Sequence, residues 1–385
     1  MTSEAVLLQP KATTKKILAG QRLTALDSIR GIAAIIVVFN HIFNFTPDKY
    51  ASVINLFKHT PLRIIIDGHA SVIVFFVLSG AVLTIPVLAN PKIDVGKFLV
   101  RRFFRIYVPF AVAILGAYLL FEATVGRPIL GTSAFTAQMW GDPHADSLLG
   151  HLLLTGKERD IELDGVMWSL VHELRMSLVF PFIIPWIIRY PVRSTLVSLV
   201  IAIGADVLLR HIGENYTIFI SAHTVAGSLL MTVRYMVFFV AGAALIALLN
   251  ENLQRLDEMK PAIRWGLLAV ALVLLMIPGD RPYSDYLMGI GALAVIALAI
   301  ASRNSPLLSS PPLHWLGEVS YSMYLVHLPI MLACLKWLSP SLSLGVCLLI
   351  ALPIVFVASH LFNLLVEKPA NRLGKRVLHQ SPQAL

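Results

Sequence analysis

The sequence predicts an all-α fold, a polytopic transmembrane helical bundle of about ten spans. Of its 385 residues, 57% are hydrophobic and only 14% are charged, whereas roughly a quarter of the residues in an ordinary soluble domain are charged. The apolar residues fall in blocks of about 20, the length that crosses a hydrocarbon core of about 30 Å. These runs are continuous rather than alternating, which favours helices over a membrane β-barrel. The composition therefore excludes a disordered chain and a disulfide scaffold, and it argues against a soluble enzyme, which could not bury this much apolar surface.

Ten apolar segments are bounded by charged residues, proline or glycine, and each is predicted to span the membrane. The seventh is the shortest and the weakest of them. The segments are Ile29–Phe45, His69–Ala89, Phe104–Ala123, Val166–Ile188, Thr195–His211, Ala226–Leu249, Trp265–Pro278, Tyr286–Ser302, Leu316–Trp337 and Leu344–Val366. They define a transmembrane domain over residues 26–369, preceded by a segment at 1–25 and followed by a tail at 370–385.

The placement of lysine and arginine predicts the orientation of the bundle. The chain has 31 of these residues, and roughly two thirds of them fall on the side of the N-terminus, as the positive-inside rule requires for a cytoplasmic face. We therefore expect both termini in the cytoplasm and the longest loop, about Thr124–Gly165, outside, where it can meet an external substrate. The formal net charge of +9 is assigned to basic cytoplasmic loops and not to nucleic-acid binding.

Two ionisable residues in the first span are the first candidates for function. Arg30 and His41 lie eleven positions apart, which is about three turns or roughly 16 Å along one helix face. An ionisable side chain in a spanning helix costs several kcal/mol unless it faces a cavity or a partner. Arg30 is predicted at the cytoplasmic mouth and His41 in the outer half. The alternatives are an interfacial anchor for Arg30 and a hydrogen-bonded core histidine for His41.

Glu173 enters the fourth span from outside and reaches a depth similar to that of His41, about 10 Å from the outer edge. A carboxylate beside an imidazole can fix its tautomer while the imidazole takes a proton. The two residues are therefore a candidate pair of base and orienting acid. The alternative is that Glu173 only neutralises Arg175 or Arg234.

Two further groups of side chains are candidates for ligand binding. Arg101, Arg102 and Arg105 begin the third span, where clustered guanidiniums suit phosphate, although simple positive-inside anchoring is the other interpretation. In the ninth span Tyr321, Tyr324 and His327 share a helix face. That face predicts a cavity lining or, alternatively, hydrogen bonds between helices. No spacing typical of a metal site, a nucleotide loop or a nucleophile elbow is found, so no metal is expected.

Six motifs, in order along the chain, resemble those of the membrane acyltransferase 3 family. The resemblance runs from about Leu26 to Pro369. The motifs are Arg30 with His41 (Arg-x10-His), Phe75 to Gly80 (FFxxSG), Arg101 to Pro109 (RRxxRIxP), Trp168 to Glu173 (WSLxxE), Leu316 to His327 (LGxxSYxxYLxH) and Glu367 to Pro369 (ExP).

The resemblance implies an assignment for each group. His41 would be the catalytic histidine, with Arg30 as its motif partner. The three arginines would contact the phosphates of coenzyme A, and Tyr321, Tyr324, His327 and Ser79 would complete the donor site. Similar proteins take an acyl group from cytoplasmic acyl-CoA, most often acetyl-CoA, and acylate cell-surface or small glycosidic substrates.

We therefore expect an O-acyltransferase of the bacterial inner (plasma) membrane. His41, oriented by Glu173, would deprotonate a hydroxyl of a glycan, glycolipid or glycoside, and an acyl-histidine intermediate is the other route. The expected partners are the acyl-CoA donor, the hydroxyl-bearing acceptor and membrane lipid. The alternative function is a transporter or flippase with a buried His/Glu proton relay, although no internal repeat of the kind common in transporters is visible.

Overall fold

The computed structural model describes residues 24–133, 136, 139–140, 145–157, 162–214, 222–279 and 283–380. The predicted segment 1–25 lies almost wholly outside these residues. Each predicted span is a helix, which confirms the polytopic all-α fold for the described part of the chain. The helices at the predicted spans are α1 (Thr24–Phe45), α2 (Gly68–Ala89), α3 (Val95–Glu122), α4 (Trp168–Arg189), α5 (Pro191–His211), α6 (Val225–Asp257), α7 (Pro261–Leu275), α8 (Ser284–Ala301), α9 (Pro311–Leu338) and α10 (Leu344–Leu378). Two short helices of the described chain, Ala51–Lys58 and Ala145–Leu152, lie in the connections between them.

Nine of the helices in the described residues are long and apolar enough to cross a membrane. The exception is α7, the span that the sequence supported least. It has 15 residues and rises about 22 Å at 1.5 Å per residue, less than the thickness of a hydrocarbon core. Whether the chain crosses the membrane here decides whether the two termini share a side, so the predicted orientation stays a prediction.

Several helices continue past the predicted ends because hydropathy detects only their apolar part. α6 has 33 residues and reaches Asp257 instead of Leu249, with a break in helical geometry at Asn252 (φ −123°, ψ 19°). α10 likewise runs on into the basic stretch that was predicted as the tail. Polar ends of this kind extend a helix beyond the lipid without changing the number of spans.

Two clusters of buried apolar side chains form the core. One is built mainly by α2, α4, α6 and α8, and the other mainly by α1, α3, α9 and α10. Phe75 on α2 packs against both clusters. The helices on either side of this junction therefore enclose the space in which a site can form.

Helices α1 and α9 run parallel and make a very close contact. A Cβ atom added at Gly31 would lie 2.6 Å from the backbone nitrogen of Gly317, and one added at Gly317 would meet the carbonyl of Asp27. Ten residues further along each helix, His41 faces His327. The two helices keep the same register over these ten residues. The contact between Gly31 and Gly317 therefore determines that His41 meets His327 further along the helices.

Part of the predicted outer loop covers the end of α1. The Ser133 N–H donates to the carbonyl of Phe45 (3.0 Å), and the Ser133 hydroxyl donates to that of Asn44 (2.6 Å). These carbonyls belong to the last turn of α1, where a helix leaves its acceptors unsatisfied. The described part of the loop therefore fixes the end of α1 that carries His41.

Candidate active site

A cavity of about 370 Å³ lies between α1, α2, α3, α4, α9 and α10. It adjoins the ends where α1, α3 and α9 begin and where the apolar part of α10 stops. Charged side chains of both signs line it in equal numbers: Arg30, Arg102, Arg105 and Lys368 with Asp27, Glu173, Glu318 and Glu367. Such a polar interior, surrounded by apolar helices, suits a water-soluble ligand.

Two widened helical turns form part of the cavity wall. α3 contains the π-helical turn Phe103–Tyr107, and α10 contains the π-helical turn Asn363–Glu367. A proline, Pro109 or Pro369, lies two residues after each turn. Because proline has no backbone N–H, the ordinary bond to the carbonyl four residues earlier cannot form at either place. The RRxxRIxP and ExP motifs, which both end in proline, therefore favour these π-helical turns. Arg105 in the first turn and Glu367 in the second line the cavity.

Arg102 and Glu173 form an ion pair in the cavity wall. Arg102 Nη2 lies 3.3 Å from Glu173 Oε1, and the Ser79 hydroxyl donates to the same oxygen at 2.9 Å. The guanidinium also donates to Ser177 Oγ from Nε (3.2 Å) and Nη2 (2.9 Å). The charge of the buried Arg102 is therefore neutralised within the protein, and Ser79 helps to hold the carboxylate that neutralises it.

The predicted hydrogen bond between Glu173 and His41 is not formed in the described structure. Glu173 uses its carboxylate on Arg102 and Ser79 instead. The alternative partners proposed from sequence are also occupied elsewhere: Arg175 donates to Ser228, to Thr232 and to two loop carbonyls, and Arg234 pairs with two aspartates. Glu173 and His41 therefore bond to different partners, and the predicted pair of base and orienting acid is not in contact.

The remaining predicted arginines differ in position. Arg30 lines the cavity and pairs with Asp27 at 2.9 Å. Arg105 also lines it, is exposed, and makes no hydrogen bond or ion pair with any residue that the structure describes. Arg101 is exposed but lies outside the cavity lining. Arg105 is therefore the cationic side chain in this wall that remains available to an anionic ligand.

The two tyrosines of α9 line the cavity, as the sequence predicted. Tyr321 donates its hydroxyl proton to the carbonyl of Ile106, 2.7 Å away in the widened turn of α3. Tyr324 donates to the carbonyl of Val166 at 2.9 Å and so can only accept from the hydroxyl of Ser169, at 2.7 Å. Both hydroxyls hold α9 against neighbouring segments, so the two sequence interpretations, cavity lining and interhelical bonding, apply together.

His41 is partly exposed near the end of α1, and its tautomer follows from its contacts. Nδ1 lies 2.9 Å from the carbonyl of Val37. A carbonyl oxygen can only accept, so Nδ1 carries the proton and the neutral ring keeps its lone pair on Nε2. Nε2 makes no hydrogen bond with the described residues. The sequence predicted that the carboxylate of Glu173 orients the His41 ring. In the structure the backbone carbonyl of Val37, on the same helix as His41, makes the orienting hydrogen bond.

His327 lies beside His41 and not in the cavity lining. Its Nε2 is 3.3 Å from His41 Nδ1, and the two rings meet edge to face with centroids 5.1 Å apart. The cavity ends at Tyr324, whose ring centroid is 6.1 Å from that of His327, and at Phe75, which packs edge-on against Tyr324 at 5.7 Å. The cavity lining therefore includes Tyr324 and Phe75 but neither histidine.

A second ionic cluster, which sequence reasoning missed, connects α2, α5, α6 and α8. Asp285 accepts from His69 Nε2 (2.7 Å) and pairs with Arg234 (2.7 Å), which also pairs with Asp206 (2.6 Å). Tyr286 donates to Asp206 at 2.6 Å. The excess of ionisable residues in the spans was a usable signal, but their pairing depends on helix packing. Within the described residues, no group of three or more His, Cys, Asp or Glu side chains is arranged to hold a metal ion.

Comparison with known proteins identifies the family. The model of the family described as "Acyltransferase domain" matches residues 23–363. The chain belongs to this acyltransferase family. The match covers five of the six motifs, those on α1, α2, α3, α4 and α9, and stops before the ExP motif at Glu367 to Pro369. The family assignment made from the motifs is confirmed. The chain is an integral, multi-pass membrane protein of this family.

Individual relatives are more distant. The chain is 24% identical over 340 residues to O-acetyltransferase OatA of Staphylococcus aureus, covering 82% of this chain and 52% of the relative. It is 30% identical over 202 residues to protein 2 in the picA locus of Rhizobium radiobacter, covering 49% and 94%. It is 24% identical over 336 residues to nodulation protein 10 of Rhizobium leguminosarum bv. viciae, covering 79% and 82%. The chain spans about half the length of the OatA relatives. No solved structure matches.

Proposed function

We propose that this protein is an O-acyltransferase of the bacterial inner membrane. It moves an acyl group, with acetyl as the first candidate, from acyl-CoA to a hydroxyl of a glycan, glycolipid or small glycoside. The observation that carries the proposal is the arrangement on α1: a polar cavity at the end where the helix begins and, about ten residues beyond it, a histidine with its lone pair on Nε2. Family membership supports acyl transfer over transport.

In this proposal Arg105 is the first contact for the donor phosphates. It is the arginine of its cluster that lines the cavity without a carboxylate partner in the described structure. Arg102, by contrast, already has Glu173. A guanidinium without a partner can form two parallel hydrogen bonds to a phosphate. Arg30 and Lys368, which are paired in the cavity wall, add positive potential nearby.

His41 is the proposed base. Its Nε2 removes the proton from the acceptor hydroxyl as the oxygen attacks the thioester carbonyl. The oxygen–carbon bond forms, the carbon–sulfur bond breaks, and the coenzyme A thiolate leaves and takes up a proton. The cavity lining includes Tyr324, one turn before His327 on α9, but neither histidine, so in this proposal the thioester extends past Tyr324 to reach His41.

Purified protein in lipid nanodiscs, supplied with labelled acetyl-CoA and membrane glycans, tests the proposal. Wild-type protein is expected to transfer label to the glycan fraction, with the modified hydroxyl identified by mass spectrometry. Because a nanodisc encloses no compartment, transfer observed there cannot be transport. His41→Ala is expected to lower the rate by about 100- to 10,000-fold, the usual contribution of a positioned base.

His360→Ala is the matched control, because this histidine lies on α10 and its hydrogen bond is with Trp315. The control is expected to keep wild-type activity. An active His41→Ala variant at normal membrane levels would remove His41 from the mechanism. Absence of acyl transfer by wild type, together with proton-driven uptake by sealed vesicles lacking acyl-CoA, would favour the transporter function instead.

A further inference from the structure

His41 has a buried histidine as its neighbour. His327 on α9 has 0% relative exposure, and its Nε2 lies 3.3 Å from His41 Nδ1. Sequence reasoning placed His327 with the donor-binding residues, but the cavity lining does not include it. The contact needs a physical reason, because the buried ring of His327 must satisfy its polar atoms without water.

The protonation pattern of the pair follows from the acceptors around it. His327 Nδ1 lies 2.9 Å from the carbonyl of Met323 and 3.0 Å from that of Tyr324. Both carbonyls can only accept, so Nδ1 holds the proton and Nε2 of the neutral ring is an acceptor. That acceptor faces His41 Nδ1, whose N–H is already directed at Val37. One N–H of His41 is therefore shared between a carbonyl and an imidazole nitrogen.

Backbone packing and side-chain hydrogen bonds both hold His41 and His327 in contact. The Gly31 and Gly317 contact sets α1 and α9 in register, and the two histidines lie ten residues beyond it on parallel helices, about 15 Å at 1.5 Å per residue. His327 has little freedom to turn away, because its Nδ1 is held by two carbonyls of its own helix. The pair is therefore a built feature of the helix packing.

We propose that His327 is a positioning residue for His41. This inference rests on the proposed function. As His41 Nε2 takes the proton of the acceptor hydroxyl, the ring becomes an imidazolium, and His327 Nε2 accepts a stronger hydrogen bond from its Nδ1–H. His327 takes no proton: the proton stays on His41 Nε2 until it passes to the departing thiolate. The contact also holds the ring so that Nε2 keeps one direction.

Two substitutions of similar size separate this role from packing. His327→Leu fills the space but offers no acceptor, and it is expected to lower kcat by about 10- to 100-fold, the effect of losing a hydrogen bond to a charged group. His327→Gln restores an acceptor oxygen and is expected to recover at least several-fold of that loss. The KM values for acetyl-CoA and for the acceptor are expected to stay within about twofold, because the residue lies outside the donor cavity.

Met331→Leu is the matched control. It changes a fully buried side chain one turn further along α9, and wild-type kcat is expected. Equal loss of kcat in the leucine and glutamine variants, or wild-type kcat in the leucine variant, would overturn the positioning role. A large rise in the KM for acetyl-CoA with unchanged kcat would overturn it in favour of the donor-binding role that the sequence suggested.

The rate at which a chemical reagent modifies His41 tests the pairing of His41 with His327 without relying on acyl transfer. Diethyl pyrocarbonate acylates unprotonated imidazole nitrogen, and the modification of His41 is followed by mass spectrometry of its peptide. A neighbour that accepts from Nδ1–H makes Nε2 more nucleophilic, so His327→Leu is expected to slow the reaction several-fold and His327→Gln less. If wild type transfers no acyl group but this order is found, the proposed function fails and the pairing stands. Equal reaction rates in all three proteins would refute the pairing.

Discussion

Aspartates cap three helical segments, and they differ in what their second oxygen does. Asp67 caps α2 and Asp94 caps α3, and each uses the other oxygen on a basic side chain, Arg63 at 2.8 Å and Lys97 at 3.3 Å. Asp164 caps the turn before α4 through Oδ1, but its Oδ2 is buried with no partner in the described structure. Burial raises the pKa of Asp164 well above the ordinary value of 3.8, so folding favours the neutral form of this carboxyl.

Replacing this carboxyl with an amide should therefore stabilise the protein at neutral pH. Above about pH 4 the unfolded chain ionises Asp164 while the folded chain retains the proton, so the stability of the wild type falls as pH rises towards the folded pKa. Asp164→Asn keeps an oxygen for the Val166 N–H but never ionises. Thermal unfolding in detergent from pH 4 to pH 8 is expected to show a gain for Asp164→Asn that grows with pH.

Asp94→Asn provides the opposite control. The hydrogen bond from the backbone N–H of Lys97 lowers the pKa of Asp94. The ammonium group of Lys97 also lowers this pKa, whereas slight desolvation of the carboxylate raises it. The ionised carboxylate therefore contributes stability at neutral pH that is lost as the solution is acidified through its folded pKa. This control should be slightly less stable than wild type at pH 7 and equal to it in acid. The same sign for both variants would contradict the assignment of a neutral Asp164.

At the scale of helices, the sequence predicted which segments are helical but not how they turn towards each other. Long apolar blocks identify spans because a bilayer requires them, and all ten were located. Rotation about the helix axis is set by packing, which hydropathy does not report, so the sequence did not reveal that Glu173 and His41 bond to different partners. Seven of the ten site residues named from the sequence line the cavity, and His41, Arg101 and His327 do not. The π-helical turns and the histidine pair were not predicted, since they depend on contacts between distant segments.

The contact between α1 and α9 shows how helix packing controls the site. At Gly317 a methyl group would meet the backbone carbonyl of Asp27, and a backbone atom cannot rotate aside. Gly317→Ala is therefore expected to push the helices apart and to cost about 1–3 kcal/mol of stability, as overpacking usually does. Because the histidines lie further along the same two helices, acyl transfer should fall by more than the loss of folded protein explains.

Gly116→Ala on α3 is the matched substitution, because nothing lies within 4 Å of the added methyl group. Alanine favours a helix by about 1 kcal/mol over glycine, so this variant should be at least as stable as wild type and fully active. Stability comes from thermal unfolding, and activity is expressed per folded molecule. Equal stability and equal activity of Gly317→Ala and Gly116→Ala would mean that the close contact between α1 and α9 does not determine the geometry of the histidine pair.

At the scale of the whole molecule, the cavity and the histidine pair lie at different depths. The cavity is lined by residues near the beginnings of α1, α3 and α9, whereas the histidines lie towards the far ends of α1 and α9. Under the proposed function, a donor in the cavity would approach His41 from one face of the bundle. The proposed acceptor would come from the opposite face, where the loop at Ser133 covers the end of α1.

The positive-inside pattern predicts that the cavity faces the cytoplasm, and cysteine labelling tests this directly. Asn371 lines the cavity, and the exposed Lys49 follows the far end of α1. With Cys334 and Cys347 replaced by alanine, Asn371→Cys should react with a membrane-impermeant maleimide only in inverted vesicles, and Lys49→Cys only in intact cells. Acetyl-CoA should protect Asn371→Cys and leave Lys49→Cys unaffected. The reverse pattern of sides would place the cavity outside, where cytoplasmic acyl-CoA cannot reach it, and would remove this donor from the mechanism.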